Sequence, residues 1–303
     1  MQSDVPHVDI VDEARDLLMA AGHYDLPFRL IGGLAVRLHA PEGLHSAVVR
    51  SYKDIDLVTV RGARRQVSEL MLGRGYQAIE AFNAVNGHRR LLFYDTGSER
   101  QVDIFVGWFE MCHVIPIVER LALDEITVPL AELLLTKLQV VRLNEKDQCD
   151  ILGLLYHHEV GDADGETING EYIGRLCAAD WGLWRTCKLN LERSTDALPR
   201  YQFSDDERML IGDRIERLWR LIEETPKSAR WRLRDRVGDR KQWYEEPEEV
   251  DLRRFATPVA KRALRLSSVP ARLQAAGFTN MHIRLTIGGA WGVMLVAFTY
   301  PVR

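Results

Sequence analysis

Residues 28–57 read FRLIGGLAVRLHAPEGLHSAVVRSYKDIDL, and the fold turns on this stretch. A short apolar run, Phe28 to Ile31, meets the pair Gly32-Gly33, and an amphipathic segment then stops at Pro41. The stretch closes on Asp54-Ile55-Asp56-Leu57. On a strand, alternate side chains share a face, so Asp54 and Asp56 point together while Ile55 and Leu57 enter the core. The two carboxylates are then about 7 Å apart at their Cα atoms. That spacing suits hard, oxygen-seeking cations such as Mg²⁺. Glycines between a strand and a helix let the backbone approach phosphates, with N–H groups at the helix start supplying positive charge. Either motif alone is weak: Asp-x-Asp is common on exposed strands, and Gly-Gly is routine in turns.

Outward from there, the chain reads as helix 8–22, strand 28–31, helix 34–40, a loop, strand 54–60 and helix 61–74. Strands 88–94 and 101–106 follow, joined by Asp95-Thr96-Gly97-Ser98. After Pro116 and Pro129 the pattern turns helical, with helices at 131–143, 145–158, 171–190, 205–224 and 257–276. The tail 280–300 reads as two strands around Gly288-Gly289. The expectation is an α/β (α+β) chain: a small mixed-sheet domain over residues 1–125, then a mostly helical region over 126–303 ending in a strand pair.

The 303 residues, 46% hydrophobic and 28% charged, describe a soluble globular chain long enough for two cores. The acidic start MQSDVPHVDIVDEARD has neither the basic nor the apolar part of a secretory signal. The uncharged run 285–302 is interrupted by Gly288, Gly289, Gly292 and Pro301, unlike the roughly 20 apolar residues of a membrane span. Cys112, Cys149, Cys177 and Cys187 lack zinc or disulfide spacing. A cytoplasmic protein without a membrane partner is expected. Charge is uneven: residues 1–160 carry 16 Lys and Arg against 23 Asp and Glu, and residues 161–303 carry 24 against 21.

The apolar-Gly-Gly turn followed by Asp-apolar-Asp-apolar resembles the nucleotidyltransferase superfamily with the DNA polymerase β-like fold, most nearly its AbiEii-type toxin group. In that family a third acid follows on a later strand, then a lysine helix and an Asp-containing helix. The corresponding residues here are Asp103 in QVDIF, Lys137 in LLLTKLQVVR, and Asp147 with Asp150 in EKDQCDIL. The resemblance spans residues 25–160. It implies that Gly32, Gly33 and Lys137 seat an NTP and that Asp54, Asp56 and Asp103 bind Mg²⁺ or Mn²⁺. Asp103 and Lys137 would serve catalysis. Acceptors implied are tRNA or protein, with an antitoxin as partner, or a small molecule such as an antibiotic. Two departures stand out: Gly33 occupies a position where many members carry serine, and the spacer to Asp54 is long.

Residue periodicity adds detail. Lys137 falls on the shoulder of the Leu134, Leu138 and Val141 stripe, where a long side chain reaches a cleft edge. Arg142 lies on the opposite shoulder, away from any phosphate that Lys137 touches. Asn144 is placed to cap the second helix with Asp147 at its third position; the resemblance, for its part, implies that Asp147 and Asp150 order Lys137 or the substrate. His157-His158 read as the end of that helix. The segment 226–243 holds seven Lys and Arg with Trp231 and Trp243 interleaved. It offers phosphate contacts and base stacking, or simply a charged surface paired with the acidic run after it. A non-catalytic nucleotide- or RNA-binding regulator on the same fold is the alternative to an enzyme.

Overall fold

The computed structural model describes residues 9–40, residues 42–246 and two strands, 281–287 and 293–299. The chain divides into two units, residues 1–248 and 249–303. The first unit mixes helices with a five-stranded sheet.

Helix α1 (Ile10–Gly22) begins at Asp9, whose carboxylate accepts from the Val11 N–H at 2.8 Å. Strand β1 (Arg29–Ile31) feeds directly into α2 (Gly32–Leu38), and β2 (Asp54–Thr59) follows a loop holding one short 3₁₀ turn. Next come α3 (Arg64–Gly73), β3 (Gln77–Ala78), α4 (Glu80–Asn86), β4 (Arg90–Asp95) and β5 (Arg100–Val106). The sheet order is β1-β2-β5-β4-β3, with β2 and β5 parallel and all other neighbours antiparallel. β5 is therefore central, and every residue from Val102 to Val106 is buried. The parallel register sets Asp56 beside Asp103, while the antiparallel register on the other flank sets Ile31 beside Asp56.

A small hairpin, β6 (Phe109–Glu110) with β7 (Val114–Ile115), leads to helices α5 (Leu130–Leu138) and α6 (Glu145–His157). Strands β8 (Val160–Gly161) and β9 (Ile168–Asn169) pair in parallel across the loop 162–167. Helices α7 (Gly170–Ala179), α8 (Trp181–Ala197), α9 (Asp205–Glu224) and α10 (Ala229–Val237) complete the unit. Helix α2 packs on both α5 and α6. One continuous cluster of buried apolar side chains runs from Ala14 to Ile222, so the regions on either side of residue 125 meet through a common core. In the second unit, β10 (Met281–Ile287) and β11 (Val293–Thr299) form the expected antiparallel pair. The helix expected at 257–276 lies outside the described residues.

Among the differences from the sequence reading, three have an identifiable cause, local at Asp180 and non-local in the other two. Helix α5 stops at Leu138, not Leu143, because the Asn190 amide takes the carbonyls of Leu138 and Val140, both at 2.8 Å. The expected helix 171–190 is two helices, broken at Asp180, whose carboxylate caps α8 through the Gly182 N–H at 2.7 Å. Helix α4 was not foreseen; Asn83 fixes it to β4 by bonding both the N–H and the carbonyl of Leu92. No helix among the described residues is long and apolar enough to cross a membrane.

Candidate active site

The Gly-Gly turn is held by what lies over it. Gly32 has φ +70°, a left-handed conformation that costs a side-chain-bearing residue free energy. A Cβ there would also overlap Asp56 Oδ2, because β1 and β2 place Ile31 and Asp56 side by side. Gly33 is the second residue of α2, and a Cβ on it would lie 2.7 Å from Arg50 Cζ and overlap the Nη2 nitrogen outright. The guanidinium of Arg50 thus fills the space of a side chain at residue 33. Helix α2 has seven residues, fewer than two full turns, so its dipole adds little. The positive charge at the turn comes from Arg50, which sequence reasoning missed.

The three acids expected at the site are brought to one region of the sheet but are not equivalent. Asp54 is exposed at the strand start, Asp56 is half-buried, and Asp103 is buried. Asp103 is gripped by Arg90: Nε donates to both carboxylate oxygens at 2.9 and 3.0 Å, and Nη2 adds a further contact. Arg90 thereby fixes Asp103 in place and offsets its charge, while Oδ1, with a single contact from it, keeps acceptor capacity. Burial, then Asp103, drives the Asp56 carboxyl up to about 7, and Asp54 adds to the rise, against the opposing charges of Lys137 and Arg90. Burial likewise raises Asp54, opposed by Lys146. Negative charge at Asp56 is therefore under-compensated, the condition that a cation relieves.

Among the described residues no group of three His, Cys, Asp or Glu side chains is gathered to hold a metal ion by itself. Mg²⁺ is ordinarily bound through one or two carboxylates together with water and substrate phosphates. Asp54 and Asp56 supply that donor set, so the residues present fit such an ion.

The opposite wall is cationic and rigid. Lys137 is buried on α5, and its ammonium contacts Asp147 Oδ1 and Asp150 Oδ2, both at 2.9 Å. Burial would lower its pKa, but Asp150 and Asp147 outweigh that and hold the amine firmly protonated. Two of its three N–H donors are spent on these acids. Both readings of Asp147 hold at once. Asn144 Oδ1 accepts from its N–H at 3.0 Å as the helix cap, while its carboxylate orients Lys137. Asp150 also receives Arg50 through Nε and Nη2 at 2.8 and 2.7 Å. One buried carboxylate thus ties the lysine and the arginine together.

Between these walls lies a cleft of about 140 Å³, lined by Gly33, Arg50, Asp54, Asp56, Lys137 and Asp147 among others. Pockets that engulf a small ligand run to roughly 300–1,000 Å³. The cleft is sized for a phosphate chain, with a base or ribose left outside it.

Other residues singled out in the sequence lie elsewhere. Arg142 is exposed, pairs with Glu246 at 3.5 Å and is not among the residues named for the cleft. His158 is buried between the carbonyls of His39 and Glu166 at 3.0 and 3.2 Å, and α6 ends at His157. In the basic segment, Trp231 is buried with its indole N–H on the Cys177 carbonyl, and Arg234 lies over Trp181 while donating to two backbone carbonyls. Those two residues build the helical region rather than present a stacking face.

Among known proteins, no family model matches the chain and no curated protein matches it.

Proposed function

We propose that the chain is a metal-dependent nucleotidyltransferase that moves an NMP from an NTP to an acceptor hydroxyl. The observation that carries this is the charge pattern of the cleft. The under-compensated carboxylate of Asp56, with Asp54 on the same strand, lines the same small cleft as the buried, fixed ammonium of Lys137. Asp54 and Asp56 would hold Mg²⁺ or Mn²⁺, which when bound neutralises charge on the phosphates. The Gly32-Gly33 turn lets Asp56 and the Arg50 guanidinium lie close against the backbone, so a phosphate chain would meet those side chains there. The third N–H of Lys137 is left for a phosphate oxygen, on a side chain already ordered by Asp147 and Asp150. Asp103, gripped by Arg90, acts through the charge that it places beside Asp56.

In the transfer the acceptor oxygen bonds to the α-phosphorus and the bond to the β-phosphate oxygen breaks. Pyrophosphate leaves with the electron pair, and the hydroxyl proton passes to solvent. Such catalysis is chiefly positioning and charge stabilisation, for which acids, a lysine and a metal suffice. The resemblance to AbiEii-type enzymes supports a tRNA or protein acceptor and an antitoxin partner; an antibiotic-like small molecule is the other acceptor class.

A second reading, nucleotide binding without turnover, is favoured by the grip of Arg90 on Asp103. One experiment separates the two. The protein is incubated with Mg²⁺, each α-phosphorus-labelled NTP and a total cell extract. Label should pass to an acceptor, and Asp54→Ala and Asp56→Ala should each abolish it. Transfer that survives both substitutions rejects the assignment, and tight NTP binding without any transfer supports the second reading.

A further inference from the structure

We infer that Arg50 is a phosphate ligand of this cleft, standing in for the side chain that Gly33 lacks. The ligand class is a polyphosphate chain, free or carried by a nucleoside, and the inference rests on the nucleotidyltransferase reading above.

The guanidinium has five N–H donors in a fixed planar fork. Asp150 takes one from Nε and one from Nη2, and the Ser51 carbonyl takes one from Nη1 at 3.3 Å. One N–H on each of Nη1 and Nη2 is left without a partner among the described residues. These remaining donors suit phosphate oxygens. The group is also locked in place. Its Cζ sits 4.5 Å from the centre of the Tyr52 ring, and Asp150 grips its side. Tyr52 also lines the cleft, and its own hydroxyl is buried with no partner among the described residues.

The space above Gly33 is kept free of a side chain and given to the guanidinium. The arrangement places a full positive charge where a short helix end supplies little. Lys137 and Arg50 are joined through Asp150 Oδ2, so both cations keep a fixed spacing on the same cleft. Lys53 and Lys146 line the rim and add attraction without fixed geometry.

The test uses the full-length protein, Mg²⁺, and inorganic triphosphate and the four NTPs as titrants by calorimetry, with thermal melts on every variant. Arg50→Gln should weaken triphosphate binding by about ten- to a hundredfold, the range of a charge-assisted contact. In the Arg50→Gln background, Gly33→Ser has room for a hydroxyl and should recover part of the loss. Gly33→Ala with Arg50 intact should push the guanidinium aside and weaken binding although no charge is removed. Equal affinity in wild type and Arg50→Gln overturns the inference and leaves the nucleotide site standing. No binding to the wild type of any titrant overturns the underlying reading and this inference with it. If Arg50→Gln does not fold, Gly33→Ala decides: unchanged affinity there rejects the role.

Discussion

Asp56→Asn removes one negative charge at nearly constant volume, and its effect on folding can be worked from the site. The Asp56 carboxyl lies at about 7 against an ordinary 3.8, because burial and Asp103 disfavour its charge. Between those values the folded chain holds a proton that the unfolded chain has released. The protonated form's advantage is complete below about 4 and is lost as the pH rises through about 7. At 1.36 kcal/mol per pH unit the gap is at most about 4 kcal/mol. Solvent reaching a half-buried carboxyl cuts this to about 1–3 kcal/mol. Asp56→Asn should therefore be more stable than wild type at pH 8 and nearly equal to it at pH 4.5, while inactive at both. Denaturant titrations in chelator at the two pH values measure the difference. Adding Mg²⁺ at pH 8 should stabilise wild type more than the variant. A difference that stays constant with pH, or a variant less stable at pH 8, refutes the electrostatic reasoning.

Two further substitutions address the walls of the site. Arg90→Ala leaves the buried Asp103 carboxylate without its guanidinium and should cost about 3–5 kcal/mol in chemical denaturation; a loss below about 1 kcal/mol would contradict the grip described. Gly32→Ala meets both the positive φ and Asp56 Oδ2, so a loss of about 1–3 kcal/mol in stability is expected, with NTP affinity falling alongside; an unchanged melt would show that the turn tolerates a Cβ.

The parts of this site that obey local periodicity could be read from the sequence. Alternation put Asp54 and Asp56 on one strand face. Helical spacing put Lys137 at the edge of an apolar stripe, whereas every residue of α5 is buried and Val141 lies beyond its end, although Lys137 does line the cleft. The capping geometry of Asn144 and Asp147 was equally local. Asp103 was found only through a family resemblance, since nothing in its own strand reveals that it pairs in register with Asp56. Arg90 and Arg50 were not foreseen. Arg90 reaches Asp103 diagonally, with Leu92 as the direct cross-strand neighbour of that acid. Arg50 reaches Gly33 through the return of a loop, and its anchor Asp150 lies 100 residues further along. A charged residue at a strand start, as in His88-Arg89-Arg90, was the available signal for the first, and the four-residue interval from Arg50 to Asp54 for the second. The same non-locality explains α5, which ends where Asn190 captures its carbonyls.

The central claim is nucleotidyl transfer, as distinct from phosphoryl transfer or binding alone. The most direct measurement runs parallel reactions with α- and γ-phosphorus-labelled forms of the NTP that supports transfer, with Mg²⁺ and cell extract. The expected result is α-label on the acceptor and γ-label released as pyrophosphate, both lost in Asp56→Asn. γ-Label on the acceptor would make the chain a kinase, and no transfer of either label would leave it a binding protein; each contradicts the assignment.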